Sequence, residues 1–210
     1  MIQKISVSDF FTVNTYFVID EISQSGFIID PGAQGELLLQ VIEQQQWQIE
    51  KILLTHGHFD HTGAVDFLRE KLGINAYAHP KAQSYLLNPY FNLSRQCVGG
   101  RIIQNVLPFG SDRILLKNNP QFYLDIRHTP GHSPDSVSFY AARDKALIAG
   151  DTIYQGGLGL THFPGGQLSE LKKSIQKVIF SYDGSVHIYS GHSQPLTVAA
   201  LKSKNIFFAK

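Results

Sequence analysis

Short blocks of apolar residues, separated by polar turns, open the chain. Residues 2–7, 15–19 and 26–29 are rich in β-branched and aromatic side chains, which is the composition of strands. The third block runs into Asp30-Pro31-Gly32, which is a turn signal. The pattern therefore predicts three strands at the start of the fold.

The hydrophobic period then changes to that of a helix. Apolar residues recur at helical spacing over residues 36–47 and again over residues 63–72, where Gly73 marks the end of the second helix. Each predicted helix is followed by an apolar block, residues 49–55 and residues 75–78, with the length and composition of a strand. Strands that alternate with helices in this way indicate an α/β fold.

The stretch 88–100 shows no hydrophobic period, and it contains Pro89, Asn92 and a pair of glycines. Loops of this length in a compact domain often carry function. We therefore expect residues 88–100 to form a surface loop that borders a site.

The second half of the chain repeats the arrangement of the first. Its predicted helix covers residues 168–180. Its predicted strands cover residues 122–127, 137–141, 146–149 and 186–190. Polar loops that carry histidine or aspartate follow the first, the third and the last of these strands. Two similar halves are compatible with a duplicated sandwich.

Length and composition narrow the class of protein. With 210 residues, 43% of them apolar, we expect one folded domain over residues 1–210. The net charge is +1 and the basic residues are scattered, so we expect no nucleic-acid partner.

Cys97 is the one cysteine, so no intrachain disulfide can form. No apolar run could span a bilayer and no secretory signal is evident, which predicts a cytoplasmic protein without a membrane partner.

The densest chemistry lies directly after the predicted strand 49–55. His56, His58, Asp60 and His61 place three imidazoles and one carboxylate within six residues. At this composition, an H-x-H-x-D-H segment arises by chance on the order of once in a thousand sequences. Neutral imidazoles and carboxylates suit zinc, iron or manganese. One such segment supplies too few ligands for two ions, so a two-metal site requires donors from elsewhere.

Further donors stand at the ends of other predicted strands. His132 lies in the turn T-P-G-H-S, Asp151 in the loop G-D-T and His192 in the segment S-G-H-S. A carboxylate has two oxygens, so Asp151 could bridge two metal ions. Together with the H-x-H-x-D-H segment, these residues favour a metal site over a merely solvated loop.

In this order, the H-x-H-x-D-H segment, the T-P-G-H-S turn, the G-D-T loop and the late G-H pair resemble the metallo-β-lactamase superfamily over nearly the whole chain. Phe163-Pro164-Gly165-Gly166 resembles the loop of its small glyoxalase II-like branch. The resemblance implies a four-layer αβ/βα sandwich. It also implies two divalent metal ions, with zinc favoured over iron and manganese.

The resemblance assigns a role to each donor. One metal ion would be bound by His56, His58 and His132, the other by Asp60, His61 and His192, and Asp151 would bridge them. A hydroxide shared by the two ions and held by Asp60 and Asp151 would attack the substrate. The same ions would polarise the carbonyl of a thioester, lactone or ester.

The chain departs from the family loop at three positions. Leu160 and His162 stand where that loop has arginine and aspartate, and Gln167 stands where an acid is usual. Leucine cannot bind a glutathione carboxylate, so a different or smaller thioester becomes plausible. Leu160, His162 and Tyr154, which follows Asp151 closely, are the candidate substrate contacts. Few residues follow His192, so no C-terminal helical glutathione-binding domain is expected.

Several functions fit this reading of the sequence. The leading hypothesis is hydrolysis of a small thioester, such as a hydroxyacylglutathione or a related acyl-thiol. A lactonase or another ester hydrolase on the same site is the nearest alternative, and a persulfide dioxygenase is a further one. From a different class, the altered loop permits a metal-binding module that has lost turnover.

Overall fold

The first half of the chain forms a six-stranded sheet in the computed structural model, which describes residues 1–204. In chain order its elements are β1 (Ile2–Ser8), β2 (Thr12–Asp20), β3 (Ser25–Ile29), α1 (Gly35–Gln44), β4 (Gln48–Leu53), α2 (Val65–Leu72), β5 (Asn75–Ala78), α3 (Gln83–Leu86), α4 (Ser94–Cys97) and β6 (Leu107–Pro108). The strands lie in sequence order. The first three pair antiparallel, and β3 to β6 pair parallel.

The second half forms another sheet of the same size. Its elements are β7 (Arg113–Leu115), β8 (Tyr123–His128), β9 (Val137–Ala141), β10 (Ala146–Gly150), β11 (Ile153–Tyr154), β12 (Gly157–Leu158), α5 (Leu168–Lys177), β13 (His187–Ser190), β14 (Leu196–Thr197) and α6 (Val198–Ser203). The order in the sheet is β14-β13-β10-β9-β8-β7, with β10 and β13 parallel and the other pairs antiparallel. β11 and β12 form a separate two-stranded ribbon.

Three apolar clusters separate four layers. The first lies between the helices α1 and α2 and the outer face of the first sheet, and it includes Phe17, Leu38 and Leu68. The second fills the space between the sheets, where Tyr16 and Phe139 are buried. The third packs α5 and α6 onto the outer face of the second sheet. Successive residues of β2 therefore point to opposite clusters, as the pleat of a strand requires.

The predicted elements are confirmed with shifted boundaries. The helix predicted over residues 36–47 ends at Gln44, because Gln46 adopts a left-handed conformation (φ 55°). The chain then turns inward, and the Trp47 ring packs 5.1 Å from that of Phe17. The helix predicted over residues 168–180 ends at Lys177 and is followed by a 3-10 turn, Ile179–Ser181.

The hydrophobic pattern did not predict the shortest strands. β6, β11, β12 and β14 have two residues each, and β7 has three, which is too short for a hydrophobic period to be recognised. The stretch 88–100, predicted as a loop, contains the single helical turn α4. Among residues 1–204, no helix is both long enough and apolar enough to cross a membrane.

Candidate metal centre

The candidate metal donors gather where several strands end. His56 follows β4, His132 follows β8, Asp151 follows β10 and His192 follows β13. β8, β10 and β13 run in the same direction within the second sheet, so their carboxyl ends meet at one edge. The structure brings all seven predicted donors together there, although they are spread over residues 56–192.

Main-chain hydrogen bonds join the two sheets beside this edge. The Val137 N–H donates to the Thr55 carbonyl at 2.8 Å, and the Asn14 N–H donates to the Gly191 carbonyl at 2.7 Å. Gly191 has no room for a side chain, because a Cβ there would overlap Oδ1 of Asp151 and the His61 ring. The S-G-H-S segment therefore needs glycine at residue 191 to bring His192 to the cluster.

The first group of donors consists of three imidazoles. His56 Nε2 lies 3.0 Å from His58 Nδ1, and His132 Nε2 lies 2.9 Å from the same atom. All three rings are buried. A metal ion with nitrogen ligands at ~2.05 Å in a tetrahedral arrangement separates those nitrogens by ~3.3 Å, close to the spacing seen here. The group therefore has the dimensions of a metal site.

The second group combines two imidazoles with a carboxylate. His192 Nε2 lies 3.2 Å from Asp60 Oδ2, and His61 Nε2 lies 3.9 Å from the same oxygen. His61 is fully buried, whereas the His192 side chain is 27% exposed. This group therefore forms the side of the cluster that is open to solvent.

Asp151 lies between the two groups. Its Oδ1 is 3.3 Å from His61 Nε2, and its Oδ2 is 3.4 Å from His192 Nε2 and 3.6 Å from His132 Nε2. One carboxylate thus faces a histidine of the first group and two of the second. This position suits a ligand that is shared by two ions.

The imidazoles of the first group are held neutral. Burial lowers the pKa of His56, with a further contribution from the neighbouring histidines. Burial likewise lowers the pKa of His58 to about 3, and it lowers the pKa of His132. Neutral rings leave a nitrogen lone pair free for a metal ion at physiological pH.

The second group has the opposite electrostatics. Burial alone would lower the pKa of His61, but the carboxylates of Asp151, Asp30 and Asp60 outweigh burial and raise it. The same balance, dominated by Asp151, raises the pKa of His192 to about 10. Burial would raise the pKa of Asp151, yet His61 and His192 hold it well below its ordinary range. The carboxylates and imidazoles of this part of the cluster therefore favour one another's charged forms.

Three of the five candidate histidines are oriented by a hydrogen bond from their other ring nitrogen to a carbonyl or carboxylate oxygen. His132 Nδ1–H donates to the Leu160 carbonyl at 2.6 Å, and His192 Nδ1–H donates to the Thr12 carbonyl at 2.6 Å. His61 Nδ1–H donates to Asp30 Oδ2 at 2.9 Å. Such partners fix which nitrogen faces a metal ion.

Unpaired polar atoms test whether an ion fits the second group. In residues 1–204, His61 Nε2 and Asp151 Oδ1 are buried and have no hydrogen-bond partner. They lie 3.3 Å apart and face the same space. A buried polar atom without a partner is costly, and a metal ion would remove that cost for both atoms. The residues of this group therefore fit a divalent cation.

A cavity of about 240 Å³ opens onto the cluster. Its floor is formed by His58, Asp60, His132, Asp151 and His192, and its walls by Phe11, Leu93, Tyr154, Leu160 and Phe163. Two of the three predicted substrate contacts, Tyr154 and Leu160, therefore line it. His162 does not, because its exposed ring packs against Phe163 at a centroid distance of 4.2 Å.

Sequence reasoning missed several residues of the site. Asp30 was assigned only to a turn, although it follows an apolar strand as Asp151 does. Phe11 and Leu93 carry no local signal, because only the fold brings them to the cavity. His79 and His128, which lie outside the cluster, stack their rings on each other at a centroid distance of 4.3 Å, away from the cavity walls.

Comparison with known proteins shows which family the sequence is similar to. The sequence model of the metallo-beta-lactamase superfamily matches residues 8–192. A probable metallo-hydrolase of Bacillus subtilis, YqgX, is 34% identical over 92% of this chain and 91% of its own length. Hydroxyacylglutathione hydrolase GloC of Haemophilus influenzae is 31% identical over 94% of this chain and 93% of its own.

Solved structures show the same architecture. The crystal structure of the BLEG-1 B3 metallo-beta-lactamase superposes with a TM-score of 0.91 at 30% identity, over the full length of both chains. The crystal structure of TTHA1623 in a di-iron-bound form superposes with a TM-score of 0.84 at 27% identity, over 98% of this chain and all of that one. The predicted fold class is confirmed.

Proposed function

Because the chain belongs to the metallo-beta-lactamase superfamily, we propose that this metallo-hydrolase uses a binuclear site to cleave a small thioester. The observation that carries the proposal is the convergence of seven donors at the floor of one cavity, with Asp151 between two groups. A solvated polar loop would not bury its histidines or leave His61 Nε2 without a partner.

The ligand roles follow the two groups. In this proposal the first ion is bound by His56, His58 and His132, the second by Asp60, His61 and His192, and both by Asp151. When bound, the two cations supply Lewis acidity and lower the pKa of a water molecule toward neutrality. The protein fixes the ligands through Asp30 and the carbonyls of Thr12 and Leu160, so little reorganisation is needed during the reaction.

The donor set suits more than one metal. Imidazole and carboxylate ligands are typical of zinc, and iron and manganese accept the same donors. We propose zinc as the resident metal, with iron as the second candidate because a structural relative is di-iron-bound. Metal analysis of the purified protein decides between them, with two equivalents per chain expected.

One relative supports a thioester as the scissile group, because a protein of 31% identity over nearly the whole chain is a hydroxyacylglutathione hydrolase. The cavity leaves the donors accessible to a carbonyl group. A lactone or simple ester presents the same carbonyl chemistry and is the competing substrate.

The test combines metal analysis with a substrate screen on one preparation. We expect the metal-loaded protein to release free thiol from thioesters, detected with a chromogenic disulfide, and a chelator to abolish the release. Opening of lactones without thioester cleavage would establish the alternative hydrolase. Stoichiometric metal without turnover of any thioester, ester or lactone would identify a metal-binding module and overturn the proposal.

A pair of histidine variants ties turnover to the site. His58→Ala removes a ligand of the first group, so we expect kcat/KM to fall at least about a hundredfold. His187→Ala is the matched control, because His187 is exposed on β13 and lies outside the cluster. Equal activity of the two variants would refute the assigned ligands.

A further inference from the structure

The walls of the cavity above the candidate ligands carry almost no polar atoms. Phe11, Leu93, Leu160 and Phe163 have apolar side chains, and among residues 1–204 the Tyr154 hydroxyl is the one polar side-chain group in the walls. Neither lysine nor arginine is among the lining residues of the described chain. Arg101 belongs to the loop that carries Leu93, but it binds Asp9 at 2.8 Å instead.

Phe11 is fixed relative to the candidate ligands. Its ring packs 5.9 Å from that of Phe59, which is buried between the donors His58 and Asp60. The next residue, Thr12, accepts the hydrogen bond that orients His192. Phe11 is nevertheless 44% exposed, so its free face is available to a molecule in the cavity.

Leu93 is held in a conformation that leucine avoids. Its φ of 68° lies in the left-handed region, which costs an L-residue on the order of 1–2 kcal/mol. Asn92 imposes this conformation, because its side chain accepts from the Ser94 N–H at 2.9 Å and its carbonyl accepts from the Phe59 N–H at 2.9 Å. Strain of this kind is common beside binding sites. Its result here is an apolar side chain in the cavity wall.

Leu160 and Phe163 complete the opposite wall. The Leu160 carbonyl orients His132, while the Leu160 side chain lines the cavity and is 49% exposed. The Phe163 ring lies 5.9 Å from that of His58 and 6.1 Å from that of His132. Substrate atoms that reach the first group of ligands therefore pass between apolar surfaces.

From this juxtaposition we infer that the substrate carries an uncharged apolar group next to the scissile carbonyl, bound by Phe11, Leu93, Leu160 and Phe163. The inference rests on the proposed hydrolase function and specifies its substrate class. Binding transfers apolar surface from water, whereas a carboxylate in the same place would lose hydration without gaining a lysine or arginine as its partner. Leu160 is the specificity-determining residue, because its side chain can change while its carbonyl still orients His132.

Two substrate series locate the apolar group. One varies the acyl chain from acetyl through butyryl to hexanoyl on a constant neutral thiol, and the other varies an alkyl thiol on a constant acetyl group. In one series we expect kcat/KM to rise about fourfold per methylene, equivalent to about 0.8 kcal/mol, until the cavity is filled. For acyl chains that end in a carboxylate, kcat/KM should be at least about tenfold lower than for methyl-ended chains of equal length. A flat response in both series, or a preference for the carboxylate, would overturn the inference.

A charge variant tests the role of Leu160. Leu160→Lys should reverse the preference and favour carboxylate-ended substrates, whereas Leu37→Lys, on exposed surface of α1, should leave it unchanged. Leu160→Gln, which adds polarity without charge, should flatten the chain-length dependence if the lysine variant does not fold. An unchanged preference in folded Leu160 variants would refute the assignment.

Ligand binding separates this inference from the proposed function. Ketone analogues, in which a methylene replaces the thioester sulfur, cannot be hydrolysed, so calorimetry on the metal-loaded protein measures binding alone. We expect the binding affinity of these analogues to depend on chain length and charge in the same way as kcat/KM. If no thioester, ester or lactone is turned over, the proposed hydrolase function fails while calorimetry still decides the preference. Turnover without any preference in rates or affinities would refute the apolar substrate class alone.

Discussion

Asp135 is a carboxylate that the fold buries at a cost. Its side chain is completely inaccessible, and Oδ2 accepts one hydrogen bond from the Gly57 N–H at 2.8 Å. Its Oδ1 is buried without a hydrogen-bond partner in the described structure. Burial raises the pKa of Asp135 from 3.8 to about 6, and the hydrogen bond from the Gly57 N–H opposes this shift only in part. The folded protein therefore favours the protonated acid.

The sign and size of the effect follow from proton linkage. Between pH 4 and 6 the folded state binds more protons at Asp135 than the unfolded state, so stability falls as pH rises. A pKa raised from 3.8 to about 6 corresponds to about 3 kcal/mol, at about 1.4 kcal/mol per pKa unit. The destabilisation by ionised Asp135 reaches its full value above pH ~7, and about 2 kcal/mol of it develops between pH 4.5 and 7.5.

Asp135→Asn removes the charge but keeps an oxygen for the Gly57 N–H. The free energy of unfolding of the variant, minus that of the parent protein, should therefore increase by about 2 kcal/mol when pH is raised from 4.5 to 7.5, because only the parent is destabilised by the buried charge. Urea titrations of the metal-free protein at both values measure this change, and contributions of other groups cancel in the comparison. Asp112→Asn, at an exposed position, is the control. If the difference in the free energy of unfolding between Asp135→Asn and the parent is the same at both pH values, the reasoning is refuted.

Two further predictions concern the support of the candidate ligands. Asp30→Asn should weaken zinc binding about 10- to 100-fold in competition titrations. Asp30 accepts from the Thr55 N–H with Oδ1 and from the Thr55 hydroxyl and His61 with Oδ2, whereas an amide has an acceptor oxygen at only one of these two positions. The exposed Asp66→Asn should bind zinc normally, and equal affinities of the two variants would contradict the role of Asp30. Gly131→Ala should lower the melting temperature by at least ~5 °C, because Gly131 has φ 139° and a Cβ would overlap the Leu171 main chain. Gly110→Ala has open space around it, and a comparable loss there would refute the argument.

Local sequence was sufficient to identify much of the site. His56, His58, Asp60 and His61 are close in the chain, and a turn after one strand is enough to bring them together. His132, Asp151 and His192 could be found because each follows an apolar strand, and strand ends in an α/β fold gather at one edge. The alternating blocks likewise specified the main strands and helices, since both periods are local properties of the chain.

The tertiary structure alone decided what surrounds those donors. Phe11, Leu93 and Phe163 are scattered through unrelated segments, so no periodicity connects them with the cavity. Asp30 becomes a support of His61 only because β3 lies beside β4 in the sheet. Helix ends shifted for a similar reason: packing of Trp47 on Phe17 outweighed the helical pattern. Burial, pKa and substrate preference depend on contacts between distant residues, and these exist only once the sheets are packed.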